Sequence, residues 1–395
     1  MADTVMERSR SPLAIIFVTV FIDLVGFGIV IPVLPLYAER FGASPLVIGM
    51  LLGVYSLMQF ICSPILGRLS DRVGRRPVLL LSIIGTSIGF LLMGCAQTLW
   101  LLFLARIIDG MTGGNISTAQ AYIADVTPPE QRSRGMGLIG AAFGLGFIFG
   151  PAIGGLLSHV SLAAPFFFAA ILAAGNAAAV YFRLPESLSV ERRRQAREHA
   201  SIAEIFKEAK GWSLAAVMAT YFFGTVAFSL LTATYPLFTE HRFGYTAVQN
   251  GYIFAGQGLL GALIQGALLG WLLRIFSDKA LVVMGTIVLA AGMLMLPMSA
   301  TLPALLVATA AIAIGHSFMA APLNGLASKK VSAASQGRML GVMQATASLA
   351  RIAGPVLGGW LLSHDVASLS AHFGKTPYWT SSAVMLAALA FAIIL

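Results

Sequence analysis

Four ionisable side chains sit inside long apolar runs: Asp23 in FIDLVGFGIVIPVLP, Arg106 and Asp109 in LLFLARIIDGMTGG, and Arg351 in ATASLARIAGPVLGG. A charge at the centre of a bilayer costs roughly 2.5–3.5 kcal/mol on insertion scales, so such residues serve a function or one another. Two are acids and two are bases, which allows mutual neutralisation. A carboxylate that alternates between a dry setting and one beside a cation takes up and releases a proton. Asp23 is therefore a candidate proton-coupling group, with a fixed partnership to Arg106 as the plainer reading. Arg106 and Asp109 stand at i and i+3, on neighbouring faces of one helix. Asp109 either neutralises Arg106 or is a second proton site. Arg351, three residues before Gly354, points to anion binding or to a proton-dependent salt bridge, and a purely structural role is equally open.

A second group of charges crowds one short turn, GRLSDRVGRRPVLL (67–80). Gly67 is read as permitting close approach of a neighbouring helix, Gly74 as permitting a tight turn, and Pro77 as opening the next helix. Asp71 is placed to face a helix N-terminus near Gly337 and Arg338. Arg72, Arg75 and Arg76 have Asp125 and Glu130 as available partners. The matching loop of the second half, GWLLRIFSDKALVV, has Arg274 where Asp71 would stand and reads as a degenerate copy.

The elements that carry these residues follow from composition. Of 395 residues, 58% are hydrophobic and 10% charged, and mean hydropathy is +0.86. That is too apolar for a water-exposed surface. A spanning helix needs ~20 apolar residues. Twelve such segments are present, near 12–37, 46–69, 77–96, 99–121, 135–158, 163–184, 211–238, 247–272, 280–300, 302–327, 337–362 and 377–395. The first, which lacks a cleavage signature, is read as a retained span. Arg40, Arg242 and Lys375 fall in loops on one side, and Arg106 and Arg351 within spans. The remaining Lys and Arg fall in the N-terminal tail and the loops on the other side, which places both termini in the cytoplasm. The net charge of +9 thus marks topology and contacts with lipid headgroups, not nucleic-acid binding. Cys62 and Cys95 lie in apolar runs and read as spectators, with no disulfide and no metal site.

The chain divides into a first six-helix bundle (1–184), a cytoplasmic linker (185–210) and a second bundle (211–395). Within the linker, Ser201 and Glu204 form a capping box, and Ile202, Ile205 and Phe206 an apolar stripe, predicting a short helix on the inner leaflet. The halves repeat: GMGLIGAAFGLGFIFGPAIGG (135–155) aligns with MLGVMQATASLARIAGPVLGG (339–359), matching Gly150-Pro151 to Gly354-Pro355. Two parallel bundles with a substrate site between them near the midplane follow.

Along its whole length the sequence resembles the major facilitator superfamily. Gly67-x-Leu69-x-Asp71-Arg72-x-Gly74-Arg75-Arg76 is similar to that superfamily's signature between spans two and three. The run Gly146-x-x-x-Gly150-Pro151-x-x-Gly154-Gly155 resembles the antiporter signature of span five in drug/proton antiporters, and its glycines are expected to let the two bundles meet closely. Asp23-x-x-Gly26-x-Gly28-x-x-x-Pro32-x-x-Pro35 resembles the first span of tetracycline exporters. The resemblance implies an all-α membrane protein of two six-helix bundles that works by alternating access. It implies proton coupling through Asp23 and Arg106, with Asp109 as a departure, and a cytoplasmic latch built from Gly67, Asp71, Arg72, Gly74, Arg75, Arg76 and Asp125. Tetracycline exporters carry acids in spans three and nine and a histidine in span eight, and this sequence has none there.

Candidate cavity residues are Gln59, Asn115, Tyr221, Tyr235, Gln257, His316, Asn324, Gln344 and Arg351, each of which otherwise reads as a helix–helix contact; Tyr55 is similar in kind. No Gly-x-x-x-x-Gly-Lys-Ser/Thr pattern and no nucleophile–base set is present, so ATP use and enzyme chemistry are not expected. The expectation is a cofactor-free secondary transporter, sufficient as a monomer, in a bacterial inner membrane. It exchanges protons for a small amphipathic compound or drug. A metabolite or organic-anion transporter and a lipid or glycolipid flippase are the alternatives.

Overall fold

The computed structural model describes residues 2–128, 132–188, 211–331, 336–366 and 373–395. Hydrocarbon offers no partner to a backbone N–H or C=O, so apolar runs of this length close their hydrogen bonds as helices. The described residues are helical apart from short connections, with no strand among them. The first half gives α1 (Ala2–Glu39), α2 (Pro45–Val73), α3 (Arg75–Gly94), α4 (Leu99–Thr112), α5 (Asn115–Val126), α6 (Arg132–Leu157) and α7 (Ala164–Arg183). The second gives α8 (Gly211–Phe243), α9 (Ala247–Leu263), α10 (Leu269–Ile275), α11 (Asp278–Met295), α12 (Leu302–Lys329), α13 (Gln336–Val366) and α14 (Lys375–Ile394). A π-helical turn, Ile264–Leu268, joins α9 to α10.

Helix ends coincide with identifiable residues. Gly42, Gly74, Gly244 and Gly374 have positive φ, and Gly74, at φ 119°, permits α3 to start one residue after α2 ends. The hydroxyls of Thr98, Ser277 and Thr301 accept hydrogen bonds from Leu101, Ala280 and Ala304 N–H, capping α4, α11 and α12.

Among the described residues, ten helices are long and apolar enough to cross a membrane. Two expected spans differ from that description. Span eleven is the 31-residue α13. Span four, predicted as one helix over 99–121, is instead broken into α4 and α5 at Gly113-Gly114. Glycine weakens a helix, and a side chain on either of these two would strike α2: a methyl on Gly114 would lie 2.7 Å from the Leu66 side chain. The corresponding stretch of α12 holds Ser317 and Phe318 and is continuous. The short helix expected at Ser201–Phe206 lies outside the described residues.

The chain forms two compact units. One contains Met1–Phe41, Leu57–His199 and Ala247–Ala255; the other contains Gly42–Ser56, Ala200–Thr246 and Gly256–Leu395. The same packing scheme recurs in both. In the first unit α1 packs on α6 and α7, and α3 on α4 and α7; in the second α8 packs on α13 and α14, and α11 on α12 and α14. The first core gathers Ile16, Val20, Leu24, Leu79, Ile83, Tyr122 and Ile139. Large apolar side chains such as Phe182 (79% exposed), Ile171 (73%) and Trp100 (70%) point outward. A water-soluble protein would hide these, whereas a lipid-facing surface needs them.

Glycine sets the closest contacts. On α6, a methyl added to Gly146 would lie 2.5 Å from Leu24 Cβ, and on Gly150 2.7 Å from the Gly28 Cα. On Gly154 it would lie 3.1 Å from the Ile29 Cα. Gly146, Gly150 and Gly154 therefore seat α6 on α1 of its own bundle, a contact the sequence did not predict; α1 carries Gly28 at the crossing, so backbone meets backbone. Pro151 and Gly155 of the run instead meet the start of α9, at Ala247 and Gly251, residues of the second half of the chain that pack within the first unit. The second unit repeats the device, with Gly354 and Gly358 against α8 and Gly359 against Pro45 and Leu46 of α2.

Gly150→Ala should lower the thermal midpoint in detergent by the equivalent of about 1–3 kcal/mol, the usual cost of overpacking. Gly140→Ala, where a methyl would meet nothing within 4 Å, should leave it unchanged or slightly raised. Size-exclusion traces after heating distinguish the two, and equal losses would refute this account of the run.

Candidate functional site

The helix break in span four assembles the ionisable cluster of the first unit. It frees the carbonyl of Gly113, to which Gln59 Nε2 donates at 2.9 Å. Gln59 thus braces the break, which accounts for it without a ligand. The break also makes Asn115 the first residue of α5. There Asn115, 1% exposed, donates from Nδ2 to Asp23 Oδ1 at 2.7 Å. Its own Oδ1 is buried with no partner among the described residues.

Arg106 and Asp109, 2% and 4% exposed, form an ion pair of 3.0 Å along α4. Thr86 of α3 also hydrogen-bonds Asp109. Room for this carboxylate comes from Gly89, whose added methyl would lie 2.8 Å from Asp109 Cβ. The pairing decides between the two readings of Asp23. Arg106 bonds Asp109, and among the described residues no cation forms an ion pair with Asp23. Asp23 is half-buried on α1 with Asn115 as its hydrogen-bond donor and the Asp109 carboxylate as its charged neighbour. The fixed Asp23–Arg106 partnership is thereby corrected.

Arg351, in the second unit, donates from Nη2 to Ser348 Oγ at 3.1 Å, one turn back on α13. Its electrostatic neighbours are Tyr221 of α8 and Tyr55 of α2. Mutual neutralisation of the four intramembrane charges therefore extends to one pair only.

The charged turn is built around Arg75. Its guanidinium contacts Asp71 Oδ1 at 2.5 Å, Asp125 Oδ2 at 3.1 Å and Ser70 Oγ at 2.7 Å. Glu186, which sequence reasoning missed, accepts from the backbone N–H of Arg75 at 2.9 Å and of Arg76 at 3.2 Å, capping α3. A carboxylate there meets the unsatisfied N–H groups of a helix start. Only its position, just after span six in LPES, hinted at this role. Arg76 turns to the Tyr181 carbonyl and ring instead of Asp125, while Arg72 is exposed. Gly67 faces open space, so the close approach assigned to it is not made; its carbonyl accepts from Ser70 Oγ. Asp71 is engaged by Arg75. Glu130 and the side chains of Gly337 and Arg338 lie outside the described residues.

The corresponding turn of the second half is not simply degenerate. Asp278, in the first turn of α11, pairs with Lys329, the last residue of α12, at 2.6 Å. This is the place of the Arg75–Asp125 pair with the charges exchanged.

The remaining candidates separate by environment. Tyr235 is fully buried in the second core. Asn324 donates to Ala320 O of its own helix at 2.9 Å. His316 stacks on Phe228, with ring centroids 4.2 Å apart. Gln344 is exposed. Gln257 Nε2 is buried with no partner among the described residues.

With this geometry in place, comparison with known proteins is informative. The family model of the Major Facilitator Superfamily matches residues 16–274 and 258–395. The chain is 37% identical over 358 residues to the class C tetracycline resistance protein of Escherichia coli, covering 89% of each. It is 30% identical over 364 residues to multidrug resistance protein 1 of Bacillus subtilis (strain 168), covering 91% of this chain and 92% of that one. Among solved structures it resembles the human organic anion transporter MFSD10 (TETRAN), with a TM-score of 0.71 and 26% identity over 97% of this chain and 99% of that one.

Arg75→Ala would leave two carboxylates facing each other without their shared cation, and the thermal midpoint should fall by the equivalent of about 3 kcal/mol. Arg75→Lys should recover only part of that, because an ammonium does not present a planar fork of donors. Arg72→Ala, at an exposed site, should stay within about 0.5 kcal/mol of the parent. Equal effects of Arg72→Ala and Arg75→Ala in a thermal shift series would contradict this assignment.

Proposed function

We propose that this chain, which belongs to the major facilitator superfamily, exports small amphipathic compounds in exchange for protons. It is an integral multi-pass membrane transporter and not an enzyme. One observation carries the proton-coupling reading. Asp23 sits within a spanning helix with an amide as its hydrogen-bond partner, while Arg106 is already committed to Asp109. An acid with no fixed counter-ion can change charge without breaking a salt bridge.

Asn115 suits both forms of Asp23. Its Nδ2 donates to the carboxylate, and its free Oδ1 can accept from the carboxylic acid, so each protonation state retains a partner. In the proposed cycle Asp23 takes a proton from the outer side, the chain reorients, and the proton leaves to the cytoplasm before substrate is carried out. Asp109, held by Arg106 and Thr86, serves to keep Arg106 in place. The Arg75 cluster latches the cytoplasmic ends of the first unit in the outward-open state, and Asp278–Lys329 is its weaker counterpart. Both termini face the cytoplasm across a bacterial inner membrane. The proton gradient is the energy source, no cofactor is required, and one chain suffices.

The named relatives support drug-like cargo. The sequence lacks the acids of spans three and nine and the histidine of span eight associated with tetracycline exporters, so we assign a broader amphipathic class and not tetracycline itself.

The test is proton flux in liposomes holding an inside-acid gradient, followed by a pH dye as compounds are added. Wild type should discharge the gradient when a transported compound is present. Asp23→Asn, close in size and unable to ionise, should abolish discharge at an unchanged folded yield. Compound movement without proton movement in wild type would refute coupling.

A further inference from the structure

The second unit holds an intramembrane cation, Arg351, that no acid answers among the described residues. Three of its described acids lie elsewhere. Asp278 pairs with Lys329. Asp365 accepts from the Gly374 and Thr376 N–H groups and from the Thr376 hydroxyl. Glu240 lies three residues before the end of α8. Arg351 has Ser348 as its hydrogen-bond acceptor and, among the described residues, no carboxylate in an ion pair. A hydroxyl accepts a hydrogen bond but supplies no charge, so the guanidinium remains uncompensated in a setting where charge is costly.

Its surroundings are of a kind that would receive an anion. Glycines bring α2 against α13 beside it. A methyl on Gly49 would lie 2.2 Å from Pro355 O, and on Gly53 3.3 Å from Ile352 O, the residue next to Arg351. Two residues beyond Gly53 stands Tyr55, and Tyr221 approaches from α8; both interact electrostatically with Arg351. A guanidinium offers five donors in one plane, and a phenol adds an O–H donor on an apolar ring. Of the roles open to Arg351 in the sequence, a salt bridge within the protein finds no acid among the described residues.

We propose that Arg351, Tyr55 and Tyr221 form a clasp for a planar organic acid group on the exported compound, a carboxylate or a comparably acidic enol. The cargo is thereby an amphipathic acid, or a zwitterion presenting its acidic end to the second unit. The apolar body of the cargo rests on the tyrosine rings, and the planar oxygens take the two-pronged hydrogen bonding that arginine provides. This inference rests on the export reading above, and adds to it the charge of the cargo.

The test uses the purified full chain in neutral detergent and a matched pair of probes, naphthalene-1-acetate and the uncharged naphthalene-1-acetamide, titrated calorimetrically. Wild type should bind the acid about tenfold or more tightly than the amide. Arg351→Gln should abolish that preference, bringing the two probes to equal affinity. Arg351→Lys should keep part of it, and Tyr55→Phe with Tyr221→Phe should reduce it several-fold. Should Arg351→Gln fail to fold, the Lys and Phe variants carry the same comparison. Equal binding of the two probes by wild type, no binding of the acid, or a preference that survives in Arg351→Gln would overturn the clasp. Because binding needs no gradient, the two readings fail separately. Acid preference without coupled proton flux would remove the antiport reading only, and flux driven by neutral compounds without acid preference would remove the clasp only.

Discussion

A charge inside hydrocarbon must be answered by whatever lies within a few ångströms, because there is no solvent to spread the debt. That constraint organises the interior of this protein. Arg106 is answered by Asp109, one turn away on the same short helix, with Thr86 and the space left by Gly89 completing the arrangement. With that pair closed, the described residues of the first unit have one further intramembrane acid, Asp23, and those of the second one intramembrane guanidinium, Arg351. Each is held by a neutral partner, Asn115 or Ser348. The proposed roles in proton coupling and cargo binding fall on the two residues left with neutral partners, not on the settled pair.

Much of this was legible in the sequence because its causes are local. Apolar length fixes a spanning helix, and the matching Gly-Pro runs near residues 150 and 354 reveal the repeat. Asp23, Arg106, Asp109 and Arg351 stand out because ionisable residues are rare in such runs. What escaped depends on contacts between segments distant in the chain. Gly113-Gly114 reads as two more small residues in a glycine-rich chain; that they break the helix depends on α2 passing close by, with Leu66 and Gln59 at the break. Glu186 looks like an ordinary loop acid until α3 is seen to begin beneath it. The glycine run of α6 meets α9 through Pro151 and Gly155, but its longer contact was not foreseen, since a smooth helix face does not specify every helix that will meet it. The structure gives α1, whose own Gly28 makes the second smooth face.

The two halves share a scaffold more faithfully than they share chemistry. Glycines at matched positions seat α6 on α1 and α13 on α8, and an ion pair ties the start of α3 to the end of α5 as another ties the start of α11 to the end of α12. Within that frame the polarities differ. Arg75–Asp125 is sheltered and reinforced by Asp71 and Ser70, while Asp278–Lys329 has its charges exchanged and its lysine 67% exposed. Exposed pairs contribute little, so the two turns differ in strength as well as in sign.

Where α6 lies on α1, no layer of side chains separates the backbones, and so nothing between them can shear or compress. The pair behaves as a beam where the glycines of α6 meet residues 24–29 of α1, short of Pro32 and Pro35. The spanning part of α1 is 28 residues, about 42 Å at 1.5 Å per residue, and Asp23 adjoins that seated stretch. A tilt of about three degrees about the middle of such a beam displaces each tip by about 1 Å, enough to make or break a hydrogen bond. On the proposed coupling, the Gly28–Gly150 crossing would give a change of charge on Asp23 mechanical gain, since a small tilt there moves the helix ends at the membrane surfaces most.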